Sequence, residues 1–422
     1  MGRSLLAKIK GKELFLFSIA TVLVLYVGAF CLNTPREIVS GMVEILLSRD
    51  ALITDYFELA NYGAALFNGA TVLALAIGLI CRVKVPFTGF TIAVLFINLG
   101  FALFGKNPLN VWPIIVGTFL YAKLHRSGMS RYIYTALFGS CLAPVVTEIV
   151  YLLPFSLPVN MFCAIVTGIF VGYVLPPLSM HTASMHMGYN LFNVGFSAGL
   201  LAFVLVCILQ SVGLTSSTVL IWRAGRPTWL IVALYAYFLL TIVYGFWING
   251  CSFKGCVRLL RHPGRAVADF VLMDGVGITL INMGIVGILC MTYMLLIGGD
   301  LSGPVVGAML TAFGFAAFGV HIRNYIPVLA GVFLSTFLNH LAPTTPAVQL
   351  GALFAVGLAP ITGQFGIFAG MLAGALHGVV VVCTSSLYGG LNLYNGGFST
   401  GMVAIVLVPI LESFMIRFKK KS

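Results

Sequence analysis

The sequence predicts an all-α, polytopic transmembrane helical bundle of about 14 membrane segments, built as two inverted-topology repeats in which some helices are re-entrant or broken. Three observations lead there. Of 422 residues, 60% are hydrophobic and 8% charged, whereas a soluble domain carries roughly a quarter of its residues charged. Apolar stretches of the length needed to cross a hydrocarbon core of about 30 Å follow one another along the chain. The second half of the sequence repeats the first, down to polar residues set inside apolar blocks.

From the N-terminus, Arg3, Lys8, Lys10 and Lys12 precede an apolar run from Leu14 to Leu32. A secretory signal has a shorter apolar core and a small-residue cleavage site, so 13–32 reads as a retained first span. Further blocks, separated by Gly, Pro and charge, cover approximately 61–81, 86–104, 109–123, 132–153, 158–178 and 188–211. A second series covers 227–248, 275–298, 302–320, 324–340, 346–363, 365–384 and 391–411. The nine cysteines fall mostly inside these blocks without CxxC spacing, so neither a disulfide framework nor a metal site is indicated.

A shift of 214 positions places Asp55 on Asp269, and Gly63, Leu66 and Asn68 on Gly277, Leu280 and Asn282. It also places GFALFG from Gly100 on GFAAFG from Gly314. After a two-residue slip, Leu142-Ala143-Pro144 matches Leu358-Ala359-Pro360, and NLFNVGFSAG from Asn190 matches NLYNGGFSTG from Asn392. Composition makes apolar residues coincide, but it does not align Asn, Asp, Pro and Gly. The chain therefore divides into repeats 1–213 and 214–422.

Seven blocks per copy, an odd number, turn the second copy upside down relative to the first. Charge agrees. The linker 34–59 carries Glu37, Glu44, Asp50, Asp55 and Glu58 against Arg36 and Arg49. Its counterpart 250–273 carries Lys254, Arg258, Arg261 and Arg265 against Asp269, which puts the two linkers on opposite sides of the membrane. The basic N-terminus, with Arg417, Lys419, Lys420 and Lys421 at the other end, places both termini in the cytoplasm of a multi-pass protein of the cell inner membrane. Arg223, Arg226 and Lys106 run against this scheme.

Inverted repeats give a path that looks alike from both sides and meets near the midplane. Duplicated polar positions are the candidates for its lining, because polar groups at membrane depth need a partner or water. Asn68 and Asn282 offer amides that bind a polar solute or, equally, bridge packed helices. Asn190, Asn193 and Ser197, with Asn392, Asn395 and Ser399, sit in NLxNxGFSxG, where glycines weaken the helix. That segment reads as an unwound substrate site or as a close-packing seam. Thr88 and Ser302 open blocks, as re-entrant helix starts or as plain caps. Glu148 lies deep in LAPVVTEIVYLL opposite the neutral Gln364, and a lone carboxylate there binds a cation, a proton or a substrate amide, or forms a structural ion pair. Asp55 and Asp269 at linker ends read as caps. His181, His186 and His377 do not share the spacing of a metal site.

No HExxH or Walker sequence is present, and the GFSAG from Gly195 and GFSTG from Gly397 are read as part of the Gly-rich duplicated segment, so an enzyme is not expected, and no cofactor is called for. The net charge of +12 is distributed as membrane-loop charge, not as a nucleic-acid surface. With GxNLxNxGFSxG and GFAxFG in each half, the chain resembles a bacterial integral-membrane family of unknown function whose domain occurs as a tandem pair; the resemblance covers nearly the whole chain and implies no substrate. More distantly, NYGAALFNGATVLALAIGLI followed by VPFTGF resembles the urea-transporter pattern, with Asn68, Pro86 and Thr88 standing where that pattern has its polar helix and half-helix start. The copy-two segment LSGPV and Gly89 before Phe90 depart from it. The expected function is a membrane channel or facilitative transporter for a small polar, neutral solute at the repeat interface. The alternatives are a proton- or sodium-coupled carrier using Glu148, and a non-transporting protein or intramembrane enzyme. The expected partners are the solute and the bilayer, with a homo-oligomer left open.

Overall fold

The computed structural model describes residues 11–50, 53–215, 220–384, 387 and 389–419. Arg3, Lys8, Lys10, Lys420 and Lys421, which support the cytoplasmic reading of the termini, lie outside the described residues. The first copy runs through α1 (Lys12–Leu32), α2 (Pro35–Leu47), α3 (Tyr56–Leu59), α4 (Tyr62–Arg82), α5 (Gly89–Phe101), α6 (Trp112–Leu124), α7 (Ile133–Gly139), α8 (Ala143–Leu152), α9 (Leu157–Met185) and α10 (Asn193–Ser211). The second runs through α11 (Thr228–Ile248), α12 (Cys256–Leu259), α13 (Phe270–Asp274), α14 (Val276–Leu296), α15 (Gly303–Phe315), α16 (Ile322–Asn339), α17 (Pro346–Phe354), α18 (Ala359–Phe365), α19 (Ile367–Thr384) and α20 (Asn395–Lys419). No strand occurs among the described residues.

Ten helical stretches among the described residues are long and apolar enough to cross a membrane. Their outward faces carry large bare side chains, Val27, Phe162, Leu240 and Phe368 among them. Water would not tolerate so continuous a belt, and hydrocarbon does. The blocks at 86–104 and 302–320 form only the 13-residue helices α5 and α15. At 1.5 Å per residue each covers roughly 20 Å, short of a full crossing. The block at 132–153 is broken by a 3-10 turn over Ser140–Leu142, and its counterpart by one over Ala355–Leu358.

The short helices form the centre of the bundle. Gly89 lies against Ala317, Gly100 against Gly307 and Gly303 against Leu103, so α5 and α15 run antiparallel. They are the same element of the two copies, and their opposite directions are what inversion requires. A Cβ on Gly100 would sit 2.3 Å from the carbonyl oxygen of Gly307, which is why glycine occupies this contact. A second seam is duplicated: Gly117 and Gly172 join α6 to α9 as Gly331 and Gly374 join α16 to α19, each glycine abutting a backbone carbonyl.

The linker aspartates cross between copies. Asp55 accepts the N–H of Gly303 at 3.0 Å, at the start of α15, while Asp269 accepts those of Gly89 at 3.0 Å and Phe90 at 3.1 Å, at the start of α5. Each carboxylate thus satisfies free N–H groups, and the positive dipole end, of the other copy's short helix. Each also caps its own following turn, as the sequence suggested: Asp55 takes Phe57 N–H and Asp269 takes Val271 N–H.

Candidate functional site

Where the two copies meet, six aromatic side chains close the centre as three equivalent pairs: Phe101 with Phe315, Phe138 with Phe354, and Phe192 with Tyr394. Phe192 touches Phe315 (ring centroids 4.7 Å) and Tyr394 (4.8 Å), and Tyr394 touches Phe101 (5.3 Å). Backbone bonds are exchanged here as well. Leu191 N–H donates to Gly357 O at 3.0 Å, and its counterpart Leu393 N–H donates to Cys141 O at 3.2 Å. The breaks in the long helices are therefore satisfied by the opposite copy, in keeping with the demand that unwound backbone at depth be buried in protein or line a cavity.

The paired asparagines are spent on this framework. Asn68 Nδ2 donates to the carbonyls of Ala102 (2.6 Å) and Lys106 (2.8 Å), and Asn282 Nδ2 to those of Ala316 (2.8 Å) and Val320 (2.7 Å). Both amides pin the unwound end of a short helix to a full span, the helix-bridging role. Asn190 Oδ1 accepts Phe192 N–H (2.9 Å) and the Thr400 hydroxyl (3.0 Å), which ties the two copies together; Asn392 Oδ1 accepts Tyr394 N–H (3.0 Å). Ser302 caps α15 through Val305 N–H, and Thr88 is the N-cap of α5, whose first N–H groups are taken by Asp269 while the Phe90 side chain borders a cavity.

Glu148 is fully buried and gripped by Arg49, with Nε at 2.7 Å from Oε2 and Nη2 at 2.5 Å from Oε1. That is the structural ion pair, whereas Gln364 lies exposed at the surface. Next to the pair, and not singled out in the sequence, Asp50 is buried among neutral donors: Tyr56 Oη (2.7 Å), Asn110 Nδ2 (3.1 Å), Thr147 Oγ1 (3.2 Å), Ser48 Oγ (3.2 Å) and Asn107 Nδ2 (3.3 Å). Burial pushes its carboxyl up to about 7. His181 is exposed, His186 bonds Asn193, and His377 bonds Gly351 O and Ser399, so no two of the three histidines share a partner.

Of the predicted residues, Asn282 borders a small, otherwise apolar pocket of about 50 Å³ beside Leu259 and Ile322, and Asn193 borders a larger space. A cavity of about 290 Å³ between α7, α9 and α10 is lined by Arg131, Tyr134, Thr135, Ser179 and Asn193, with Phe192 and Tyr394 at its inner end. Asn193 Oδ1 receives the Thr182 hydroxyl at 2.9 Å, and Thr182 meets Ser197 at 2.7 Å. In the second copy the equivalents are drawn together: the Cβ that Gly351, counterpart of Thr135, would carry lies 2.8 Å from Val381, counterpart of Ser179. His377 ties α17 to α20 there through Gly351 O (3.0 Å) and Ser399 (3.1 Å), while Asn395 accepts the Thr384 hydroxyl at 2.8 Å. Thr135 and Ser179 border a cavity in the first copy, whereas Gly351 and Val381 are in contact in the second.

A family model described as Protein of unknown function (DUF1576) matches residues 34–211 and again 248–413, one match on each copy. The chain belongs to this family. The DUF1576 unit thus spans each copy from its linker through the last helix, and α1 and most of α11 stand ahead of the two matches. No curated protein and no solved structure matches the chain. The resemblance to urea transporters is not supported, and the structure gives Asn68 and Thr88 framework roles in place of those the pattern implies.

Proposed function

We propose that this DUF1576 protein is a membrane transporter for a small polar solute, which it carries through the interface of its two inverted copies by closing one cavity as the equivalent one opens. The observation that carries this reading is the asymmetry between the Thr135/Ser179 cavity and the Gly351/Val381 contact. Two copies of one architecture in different states give, on exchange of those states, a path reaching the aromatic centre from alternate sides. The closed aromatic centre favours a carrier over an open channel. A volume near 300 Å³ suits a small solute, at the lower end of ligand pockets. Coupling through Glu148 would require breaking its bidentate bond to Arg49, so it is the weaker version of the same function. Catalysis by the three histidines together would require bringing together side chains that share no partner.

The test is uptake into proteoliposomes from a panel of small polar solutes, with and without ion gradients. It is run on a cysteine-free background and on that background carrying Thr135→Cys with Ser179→Cys. Solute uptake that stops on oxidation and returns on reduction is expected. No uptake across the panel, or uptake unaffected by the crosslink, contradicts the reading.

A further inference from the structure

At one buried spot the two copies hold the same backbone around opposite chemistry. In the first, Lys106 is 1% exposed and its Nζ donates to Asn98 Oδ1 at 2.5 Å. Asn98 Nδ2 is tied to Val94 O at 2.7 Å, which turns the amide oxygen toward the lysine, and Ser140 Oγ lies 3.4 Å from that oxygen. In the second copy the equivalents of Lys106, Asn98 and Ser140 are Val320, Ala312 and Val356, all buried and apolar. The backbone is indifferent to the exchange, since Asn68 holds the Lys106 carbonyl as Asn282 holds that of Val320. The fold therefore does not need a lysine here.

Among the described residues no carboxylate pairs with Lys106; the ion pairs found are Arg49–Glu148, Arg223–Glu58, Arg258–Asp274 and His262–Asp274. A void about the size of one water touches Asn98 and Ser140. Charging an amine held from water without a counter-ion costs several kcal/mol, a cost that a bound anion would relieve, and an ionisable group at membrane depth that folding does not require is a functional candidate.

Its position relates it to the cavity. Gly105 backs onto Leu393, whose N–H donates to Cys141 O at 3.2 Å and which directly precedes Tyr394. Lys106 therefore stands one layer behind the cavity floor made by Phe192 and Tyr394. The cavity wall itself carries Arg131, hydroxyls and an amide, and no acidic side chain.

Resting on the carrier reading above, we propose that the transported solute is a small organic anion of the carboxylate class and that Lys106 is the charge that balances it. Arg131 in the wall and Lys106 behind the floor favour an anion over a cation. The nearby carboxylate of Asp269 is already taken up by the N–H groups of Gly89 and Phe90, and the apolar faces of Phe90, Phe138 and Leu191 suit an organic anion. This replaces the neutral solute expected from the sequence.

The experiment is thermal unfolding of the purified full chain in detergent at constant ionic strength. The probes are sodium formate, acetate, lactate, pyruvate and benzoate, with urea and glycerol as neutral controls. At least one carboxylate is expected to raise the wild-type midpoint by about 2 °C or more, and the neutral solutes are not. Lys106→Val and Lys106→Met should unfold at or above the wild-type midpoint without ligand and lose that shift, while Lys106→Arg retains part of it. The inference is overturned if no carboxylate shifts the wild type, if the full shift survives in Lys106→Val, or if both apolar variants unfold several degrees lower without ligand. A Lys106-dependent shift without uptake into proteoliposomes contradicts only the carrier reading. Uptake of a neutral solute that Lys106→Val leaves unchanged contradicts only this inference.

Discussion

Asn68 shows how a polar residue deep in a membrane protein is used up by backbone. Its amide holds two carbonyls that the end of α5 leaves without partners. Asn68→Ala should cost about 2–4 kcal/mol, since two buried acceptors lose their donors at about 1–2 kcal/mol each. Asn282→Ala, with the same pair of bonds, should cost about as much, so closely matched falls in unfolding midpoint check the assignment. Asp50 supplies a pH dependence. Its carboxyl is pushed up to about 7 by burial; between about pH 4 and 7 the folded state thus holds a proton that the unfolded chain has released. Stability from this group is therefore greatest at the acid end and falls as pH rises through about 7, by on the order of a few kcal/mol. Asp50→Asn should flatten the midpoint-versus-pH curve over that window, with the neighbouring Tyr56 and the Arg49–Glu148 pair left in place. An unchanged curve would assign the dependence elsewhere.

At the scale of elements, the short helices depend on carboxylates from the opposite copy. Asp269→Ala removes the acceptor for Gly89 and Phe90 N–H and should cost about 1–2 kcal/mol, as should Asp55→Ala at α15. Protection of the α5 amides against hydrogen exchange should fall in Asp269→Ala, and that of the α15 amides in Asp55→Ala. A loss confined to the mutated copy's own short helix would contradict the crossed arrangement. Much of this was legible in the chain: the 214-residue offset, the block boundaries and the Asp55/Asp269 pairing all appear in the sequence because they are duplicated. That each aspartate reaches the other copy was not legible, because identical capping patterns fit a contact within a copy or between copies. Of NLxNxGFSxG in the first copy, 190–192 are unwound, whereas Asn193 onward is helical with Gly195 and Gly199 packed against Tyr394 and Phe398, the close-packing seam. The breaks at Ser140–Leu142 and Ala355–Leu358 lie just ahead of Pro144 and Pro360, which cannot continue a helix, and the opposite copy meets the freed groups.

For the whole molecule, duplication is informative both where the copies agree and where they differ. Agreement at Asn68 and Asn282 reports the shared scaffold, which is why these residues drew notice as path candidates and turned out to pin backbone. Difference reports the departures: Lys106, Asn98 and Ser140 against Val320, Ala312 and Val356. Lys106 stood out in the sequence only as a charge on the wrong side of the topology; comparing polarity position by position would have found the trio. The sequence shows that the cavity residues Thr135 and Ser179 correspond to Gly351 and Val381 in the second copy, but not that the first pair lines open space while the second pair touches, which only the packing of the helices reveals.

The direct test of two inverted copies alternating in state is solvent accessibility in a cysteine-free background. Thr135→Cys and Ser179→Cys in one copy, and Gly351→Cys and Val381→Cys in the other, are labelled with a membrane-impermeant thiol reagent from each side of reconstituted vesicles in separate single variants. The first pair should be labelled from one side only, the second from the opposite side only, and conditions that protect one pair should expose the other. Labelling of both pairs from the same side, or protection of both together, would contradict the account.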